Sequence, residues 1–502
     1  MQLTHRQKLF ALLLFHAAWG GILWLSISRY GLGVSTDSVD YLFAGKNLAA
    51  GKSLVTYDGS PFYLWPPFYP MCIAFFNLLG FNAFTSAHIV QFAAFALLAY
   101  FSSVLFLKIF DFPFAFLAAF LFDTAAVVVS NFQMAGTDYL FLLFPILLTL
   151  LSARYVDSQN WTHVLLIGLI AALGMLLRYI GYTLVLAGLW AVYRYTNGSP
   201  SKRILRAAAA GAFAIPPFLW MYHTWMTTTD QRRAPLPVSD YIQQFTSGIL
   251  DWFTSPPNYT DVNAWHLAVV WIPILGLILI ALLPSRRENL FTPHTAPLLA
   301  HGLLYAVFIF VNALIAYFNR LDGRFLLPIY TPLLVLLLLV ISRLRMQNVR
   351  AATLLSLFLV FAGVLQIQHT IATLRASVNG DIPLNFYNTR EWNENKALQY
   401  WKQHPPAGDY ILLSNYDAGV AFHTGHTTLP SPRRTELYGT EIIPLSTYVD
   451  AMFDEGRQTY LIWIEPNTYE HVYEPLELIP IAKLTALFKD GDGAVFSLSP
   501  LH

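Results

Sequence analysis

Asp37 and Asp40 stand one helical turn apart in the stretch Thr36-Asp37-Ser38-Val39-Asp40-Tyr41. A positioned carboxylate can take the proton of an attacking hydroxyl, and residues three apart on a helix share one face. Other segments carry groups suited to an anion: Asp138 after Ala135-Gly136-Thr137, the pair Arg178-Tyr179, the group Arg320, Asp322 and Arg324, and Lys46 with Lys52. Arginine forks match the oxygens of a phosphate, and lysines add point charge. Trp65 and Tyr69, in Tyr63-Leu64-Trp65-Pro66-Pro67-Phe68-Tyr69-Pro70, supply aromatic surface beside them. Each group also has a plainer reading. Asp37 reads as an N-cap, Trp65 to Pro70 as an interfacial turn held by prolines, and the rest as snorkelling ends or local ion pairs.

The elements that must position these residues are membrane helices. The chain has 502 residues, of which 56% are hydrophobic and 12% charged, with a mean hydropathy of +0.49. Soluble domains carry roughly 25% charged residues, so this chain has too few to cover a water-facing surface. A membrane helix needs about 20 mostly apolar residues. Such stretches are expected at about eleven places, near 9–28, 86–107, 113–131, 138–153, 162–177, 180–193, 205–226, 265–283, 295–318, 325–342 and 351–369. The first follows Arg6 and Lys8 as a signal peptide would, but Ser-Ile-Ser-Arg-Tyr is a poor cleavage site, so it reads as an anchor. Asp123, His16 and His301 fall inside spans without forming a series, which favours packed, hydrogen-bonded roles over a transport path.

Basic residues orient the bundle. With the N-terminus inside, the inner segments hold Arg6, Lys8, Lys108, Arg154, Arg194, Lys202, Arg203, Arg206, Arg286, Arg287, Arg343, Arg345 and Arg350. The outer ones, longer in total, hold only Arg29, Lys46, Lys52, Arg178, Arg232, Arg233, Arg320 and Arg324 up to residue 350. The N-terminus is therefore expected in the cytoplasm, with a long first outer loop at 30–85 and an extracytoplasmic tail. Within that loop, 38–50 is expected to form an interfacial helix with Asp37 just ahead of it, where the helix dipole favours an ionised carboxylate. The candidate acids and bases all then face one leaflet. The division expected is a transmembrane module at 1–370 and a small α/β domain at 371–502. In that domain Trp392 to Gln403 reads as a helix, and Tyr410–Ser414, Thr459–Ile464 and Ala494–Leu498 as strands.

A first outer loop with Asp37-Ser38-x-x-Tyr41, then Ala44-x-x-Asn47-Leu48-x-x-Gly51 and Trp65-Pro66-Pro67-x-Tyr69-Pro70, resembles the GT-C membrane glycosyltransferases. The branch nearest in pattern is that of bacterial proteins related to protein O-mannosyltransferases and the aminoarabinose transferase of lipid A. Arg178-Tyr179-x-Gly181, Asp322-Gly323-Arg324-Phe325-Leu326-Leu327-Pro328, Trp392-x-Glu394-Asn395 and Leu412-Leu413-Ser414-Asn415 fit that branch too. The resemblance implies transfer of a sugar from a polyprenyl-phosphate donor, with inversion, to a lipid, glycan or protein acceptor on the extracytoplasmic face. It maps the catalytic acid onto Asp37. Many relatives carry adjacent acids where this chain has Ser38, which moves the second acid to Asp40. With Asp58 the next acid along, a divalent metal is not favoured and no cofactor is expected. The single cysteine, Cys72, leaves no internal disulfide or cysteine-based zinc cluster. A net charge of +1 gives no reason to expect a nucleic-acid partner.

Two other classes compete. A polytopic transporter or lipid flippase would be expected to show mid-membrane polar series and symmetric halves, and would leave the first loop unexplained. An assembly or sensor protein would not need so many spans, and His423 and His426 in the tail read as ordinary surface residues.

Overall fold

The computed structural model of the chain describes residues 3–227, 236–255, 257–282, 290–315, 321–347, 349–381, 386–435, 441–453 and 457–501. Its helices are α1 (His5–Ile27), α2 (Thr36–Ala49), α3 (Phe68–Leu78), α4 (Ala83–Ile109), α5 (Phe112–Asp123), α6 (Ala126–Phe132), α7 (Asp138–Phe141), α8 (Leu143–Ser158), α9 (Trp161–Leu177), α10 (Tyr182–Tyr195), α11 (Pro200–Gly211), α12 (Ile215–Thr227), α13 (Val238–Leu250), α14 (Ala264–Leu282), α15 (Ala296–Ile315), α16 (Gly323–Gln347), α17 (Val349–Asn379), α18 (Arg390–Glu394), α19 (Lys396–Gln403), α20 (Asp417–Thr424) and α21 (Val449–Met452).

Seven helical stretches among the described residues are long and apolar enough to cross a membrane: His5–Ile27, Ala83–Ile109, Asp138–Ser158, Pro200–Thr227, Ala296–Ile315, Gly323–Leu344 and Val349–Asn379. The pair α5 and α6, bent by 56°, makes an eighth if it counts as one span. The other three stretches of the expected eleven fall on α9, α10 and α14, which do not meet that length and composition among the described residues. The chain is an integral membrane protein of mainly helical fold with a small C-terminal sheet.

Contacts gather the chain into two units, each discontinuous in sequence. The first comprises Met1–Arg29, Tyr63–Tyr69 and His88–Val378, and the second Tyr30–Phe62, Pro70–Ala87 and Asn379–His502.

In the first unit the α5–α6 break exposes backbone groups that an apolar interior cannot leave unpaired. Three polar side chains meet them. The Leu121 carbonyl accepts from the Tyr330 hydroxyl at 2.8 Å and the Gln366 amide at 2.9 Å, and the Thr124 carbonyl accepts from the Thr370 hydroxyl at 2.6 Å. Gln366 also reaches the Thr124 hydroxyl at 3.1 Å. Asp123, the last residue of α5, lies 2.5 Å from His16 Nδ1 of α1, while His16 Nε2 lies 3.0 Å from the Ser103 hydroxyl of α4. His301 is buried between the rings of Phe141 and Tyr305, 3.3 Å from the Thr183 hydroxyl. The mid-span ionisable residues are thus packed and bonded.

In the second unit a five-stranded sheet runs in the order β2 (Leu429–Pro430), β1 (Tyr410–Ser414), β3 (Gln458–Ile464), β5 (Gly493–Pro500), β4 (Ala482–Asp490). β1 is parallel to β2 and β3, whereas β5 is antiparallel to β3 and β4. Ile411, Leu413, Leu461, Trp463 and Leu498 form its apolar core with Met452, Val472 and Leu478, as strand alternation requires. Trp401 of α19 packs edge-on against Tyr410 and Tyr460. The three expected strands are present; β2 and β4 are additional. The expected helix at 392–403 is two helices, because Asn395 leaves helical conformation to cap α19, its side chain accepting from the Leu398 N–H at 3.1 Å.

Replacing Gln366 by Leu removes one of the two bonds to the Leu121 carbonyl and leaves the buried Tyr330 and Thr124 hydroxyls each one partner short. It is expected to destabilise the protein by about 1–3 kcal/mol, measured as a lower thermal unfolding midpoint in detergent with the variant still inserted in membranes.

Candidate active site

Asp37 occupies the first turn of α2 rather than the position ahead of it. The helix starts earlier than expected because Ser35 is its N-cap. The Ser35 hydroxyl accepts from the Ser38 N–H, and the Ser38 hydroxyl accepts in return from the Ser35 N–H at 3.1 Å. This capping box satisfies two otherwise orphaned donors, so Ser38 helps fix the helix start. Asp37 and Asp40 are both half-buried. Lys46, in the last turn of α2, donates to the Gly425 carbonyl at 3.1 Å and lies over the Phe43 ring. Lys52 is exposed in the loop that follows.

The first unit holds Asp138, Arg178, Tyr179, Asp322, Arg324, Trp65 and Tyr69. Arg178 follows α9 in extended conformation, which turns its side chain out of the helix. Its Nη1 donates to the Asp138 carboxylate, which opens α7, and to the Thr137 hydroxyl at 3.3 Å. The side chains of Arg178 and Asp138 are only 16% and 12% exposed, so little water screens the pair. Gly181 makes the tight turn possible: a Cβ there would lie 2.4 Å from the Gly174 carbonyl oxygen. Tyr179 lies 3.0 Å from the Thr224 hydroxyl and donates to the Tyr63 carbonyl at 3.2 Å, while Trp220 of α12 donates to the Trp65 carbonyl at 3.3 Å. These bonds hold the Trp-Pro-Pro segment. Trp65 is half-buried in it, and Tyr69 is wholly buried.

Phe325 is the meeting point of the cluster. Both guanidinium groups lie over its ring, Arg324 at 5.1 Å and Arg178 at 5.9 Å, within cation–π range. Asp322 accepts the Phe325 N–H at 3.1 Å and so caps α16, and Tyr305 donates to the Phe325 carbonyl at 2.8 Å. Burial pushes the Asp322 carboxyl above its ordinary range against the pull of Arg324, and the carboxylates of Asp138 and Asp251 add to the rise. Asp138, Arg178, Asp322 and Arg324, spread over 187 positions of sequence, are thus brought together. Arg320 lies outside the described residues.

Asp251 and His369 also belong to this cluster and were not anticipated. Asp251 ends α13, where a Cβ on Gly323 would lie 2.3 Å from its Oδ2, and His369 Nε2 stands 3.7 Å from its Oδ1. The available signals were an acid closing an amphipathic stretch between spans and a histidine near the end of the last span. In the second unit His423 is half-buried on α20 rather than on an exposed loop, because its ring stacks on Trp392 and its Nε2 donates to the Tyr387 carbonyl at 2.6 Å. No group of three or more potential metal ligands stands together among the described residues.

Residues 65–222 match the family model of dolichyl-phosphate-mannose-protein mannosyltransferases, a stretch that includes Trp65, Tyr69, Asp138, Arg178 and Tyr179. Over nearly its whole length the chain matches the structure of ArnT from Cupriavidus metallidurans in the apo state, with a TM-score of 0.61 at 12% identity, covering 96% of this chain and 97% of that one. The chain shares its fold with that protein. ArnT from the same organism bound to undecaprenyl phosphate matches over the same shares with a TM-score of 0.60, again at 12% identity. The likeness in fold extends to the arabinofuranosyltransferase AftD from Mycobacteria, with a TM-score of 0.55 at 12% identity over 99% of this chain and 40% of AftD. No curated protein sequence matches the chain.

Asp138→Asn and Arg178→Gln are each expected to lower thermal stability, because each leaves a poorly screened charge without its partner. The double variant should lose less than the sum, with a coupling energy of about 0.5–3 kcal/mol in a double-mutant cycle of unfolding midpoints.

Proposed function

We propose that this chain is an inverting glycosyltransferase that moves a sugar from a polyprenyl-phosphate donor to a lipid, glycan or protein acceptor on the extracytoplasmic face of a bacterial plasma membrane. The observation that carries the reading is the full-length fold match to ArnT, one of whose structures holds undecaprenyl phosphate. The family model matched over 65–222 supports it, since its description also specifies an isoprenoid phosphate donor. In this reading the N-terminus is cytoplasmic and residues 371–502 lie outside, on the basis of the Lys and Arg distribution.

Asp37 is the general base. In the first turn of α2 the helix dipole favours its ionised form, so it is ready to accept a proton, and Asp40 is the second acid one turn on. The acceptor hydroxyl gives its proton to the carboxylate as its oxygen bonds to the anomeric carbon. The bond from that carbon to the phosphate oxygen breaks on the opposite side, which inverts the centre. The leaving phosphate takes the electron pair, and guanidinium groups such as Arg178 and Arg324 stabilise its charge, with Lys46 and Lys52 in supporting roles.

Asp37→Asn is expected to leave expression and membrane insertion intact while cutting transfer from a radiolabelled polyprenyl-phosphate sugar by about 100-fold or more. Normal transfer by that variant overturns the assignment of the base. Arg178→Gln and Arg324→Gln are expected to raise KM for the donor more than KM for the acceptor; equal effects on both would make the arginines structural.

A further inference from the structure

Two motifs of the tail, Trp392-x-Glu394-Asn395 and Leu412-Leu413-Ser414-Asn415, carry no group used in the transfer. In the second unit they meet at one groove, lined by Glu391, Trp392, Asn395, Tyr416, Glu465 and Pro466. The groove lies off the carboxyl ends of β1 and β3, which are neighbouring parallel strands. The chain leaves β1 through α20 for β2 on one side, and leaves β3 for β4 and β5 on the other. Such a reversal opens the crevice in which α/β sheets hold their ligands. Asn415 ties the two strand ends together: its amide donates to the Ile464 carbonyl and its oxygen accepts the Ile464 N–H, both at 2.9 Å. Glu465 follows β3 directly. One of its oxygens accepts the Trp463 indole N–H at 2.8 Å and the other the Asn467 N–H at 2.9 Å. The Trp392 ring is stacked on His423 at 5.7 Å and meets Tyr416 and Tyr387 edge-on at 5.7 and 5.2 Å. Tyr387 in turn places its hydroxyl 3.1 Å from the Thr36 hydroxyl in the first turn of α2. The wall of the groove and the helix of Asp37 therefore share one tyrosine.

Resting on the glycosyltransferase reading, we infer that this groove is a subsite for a sugar of the acceptor, away from the hydroxyl that reacts, and that the acceptor carries a glycan. The lining decides the class of ligand. The buried Trp392 and Ile464 and the half-buried Tyr416 give the groove an apolar floor, and the exposed Glu391 and Glu465 give it a rim. A sugar ring has the matching two parts, a C–H face of low polarity and an edge of hydroxyl donors. A carboxylate accepts only, and each Glu465 oxygen, holding one N–H from the chain, keeps capacity for an incoming hydroxyl. Hydrogen bonds from hydroxyls to a carboxylate are among the strong ones, and a carboxylate already oriented by the chain loses little freedom on binding. No Lys, Arg or His is among the described residues that line the groove. A phosphate would find nothing to pair with there and two like charges against it. The donor is anionic, so the groove suits the acceptor. A lipid tail has no donors to offer the rim, which leaves the glycan.

The test uses the full-length protein in lipid nanodiscs and saturation-transfer NMR against a panel of neutral oligosaccharides built of glucose, mannose or galactose. At least one is expected to bind the parent protein, and to bind about tenfold more weakly to Glu465→Gln, which keeps the shape and removes the charge. Glu391→Gln alters only an exposed side chain of the rim and is expected to weaken binding too, which keeps the inference testable if Glu465→Gln does not accumulate. In membranes, transfer from a radiolabelled polyprenyl-phosphate sugar to the native acceptor pool is expected to need about tenfold more acceptor for half its maximal rate in Glu465→Gln, with the donor KM unchanged. Failure of the parent to bind any of the oligosaccharides overturns the inference. So does binding that neither variant weakens, or displacement of the bound sugar by inorganic phosphate. A parent protein that binds oligosaccharide but transfers nothing from the lipid donor would instead sink the glycosyltransferase reading and leave the groove a sugar site.

Discussion

Inside an apolar bundle every polar group must find its partner on the chain itself, and most of the first unit follows from that constraint. A helix that breaks at Thr124 strands carbonyls with no water to take them. The sequence answers with Tyr330, Gln366 and Thr370, placed on α16 and α17. The acid at the break, Asp123, meets His16 and through it Ser103, which brings α1 and α4 to the same point. Four helices are thus registered against α5 by these buried bonds. Polar residues in this bundle are few, and they determine which helix lies against which.

The same rule shapes the charged cluster around Phe325. Arg178 has left helical conformation and cannot rely on the ends of α9 for partners, so Asp138 and Thr137 take its donors. Asp322 serves differently. It caps α16 by accepting the Phe325 N–H, and it resists ionisation because burial and two neighbouring carboxylates outweigh Arg324. One carboxylate fixes an arginine and the other fixes a helix start. An anion would compete with Asp138 for Arg178 directly, whereas Asp322 is already engaged with the backbone of α16. The two acid–arginine pairs are therefore unequal sites for an anion although their composition is the same.

Much of this was legible in the residues. Apolar stretches located the helices, since a run of about 20 such residues has few other uses, and period-two alternation located β1, β3 and β5. The gathering of Asp138, Arg178, Asp322 and Arg324 was legible as common placement at one end of several spans. Contacts between distant segments were not. Asp251 and His369 join that cluster through packing of α13 against Gly323, which no local pattern reports. The edge strand β4 escaped because much of it is exposed and its pattern is broken by a bulge near Ala486 and Phe488. The two-residue β2 is too short to carry a period at all. The start of α2 was misplaced by two residues because Asp37 looked like the cap, when Ser35 and Ser38 form a reciprocal one.

That last difference bears on how the proposed base is set. The capping box is local: Ser35 and Ser38 fix where the helix starts and so put Asp37 in its first turn. Where that turn sits is decided elsewhere, by Tyr387, Asn388 and Gly425, more than 300 residues further along the chain. A helix fixed only by its own cap could pivot about Ser35, carrying Asp37 and Asp40 with it. Bonds to the preceding segment at Leu32 and Val34, to Thr36 beside the acid, and to Lys46 at the far end remove that freedom at three separate points. The tail thus holds the first turn of α2, and Asp37 within it, from outside the helix.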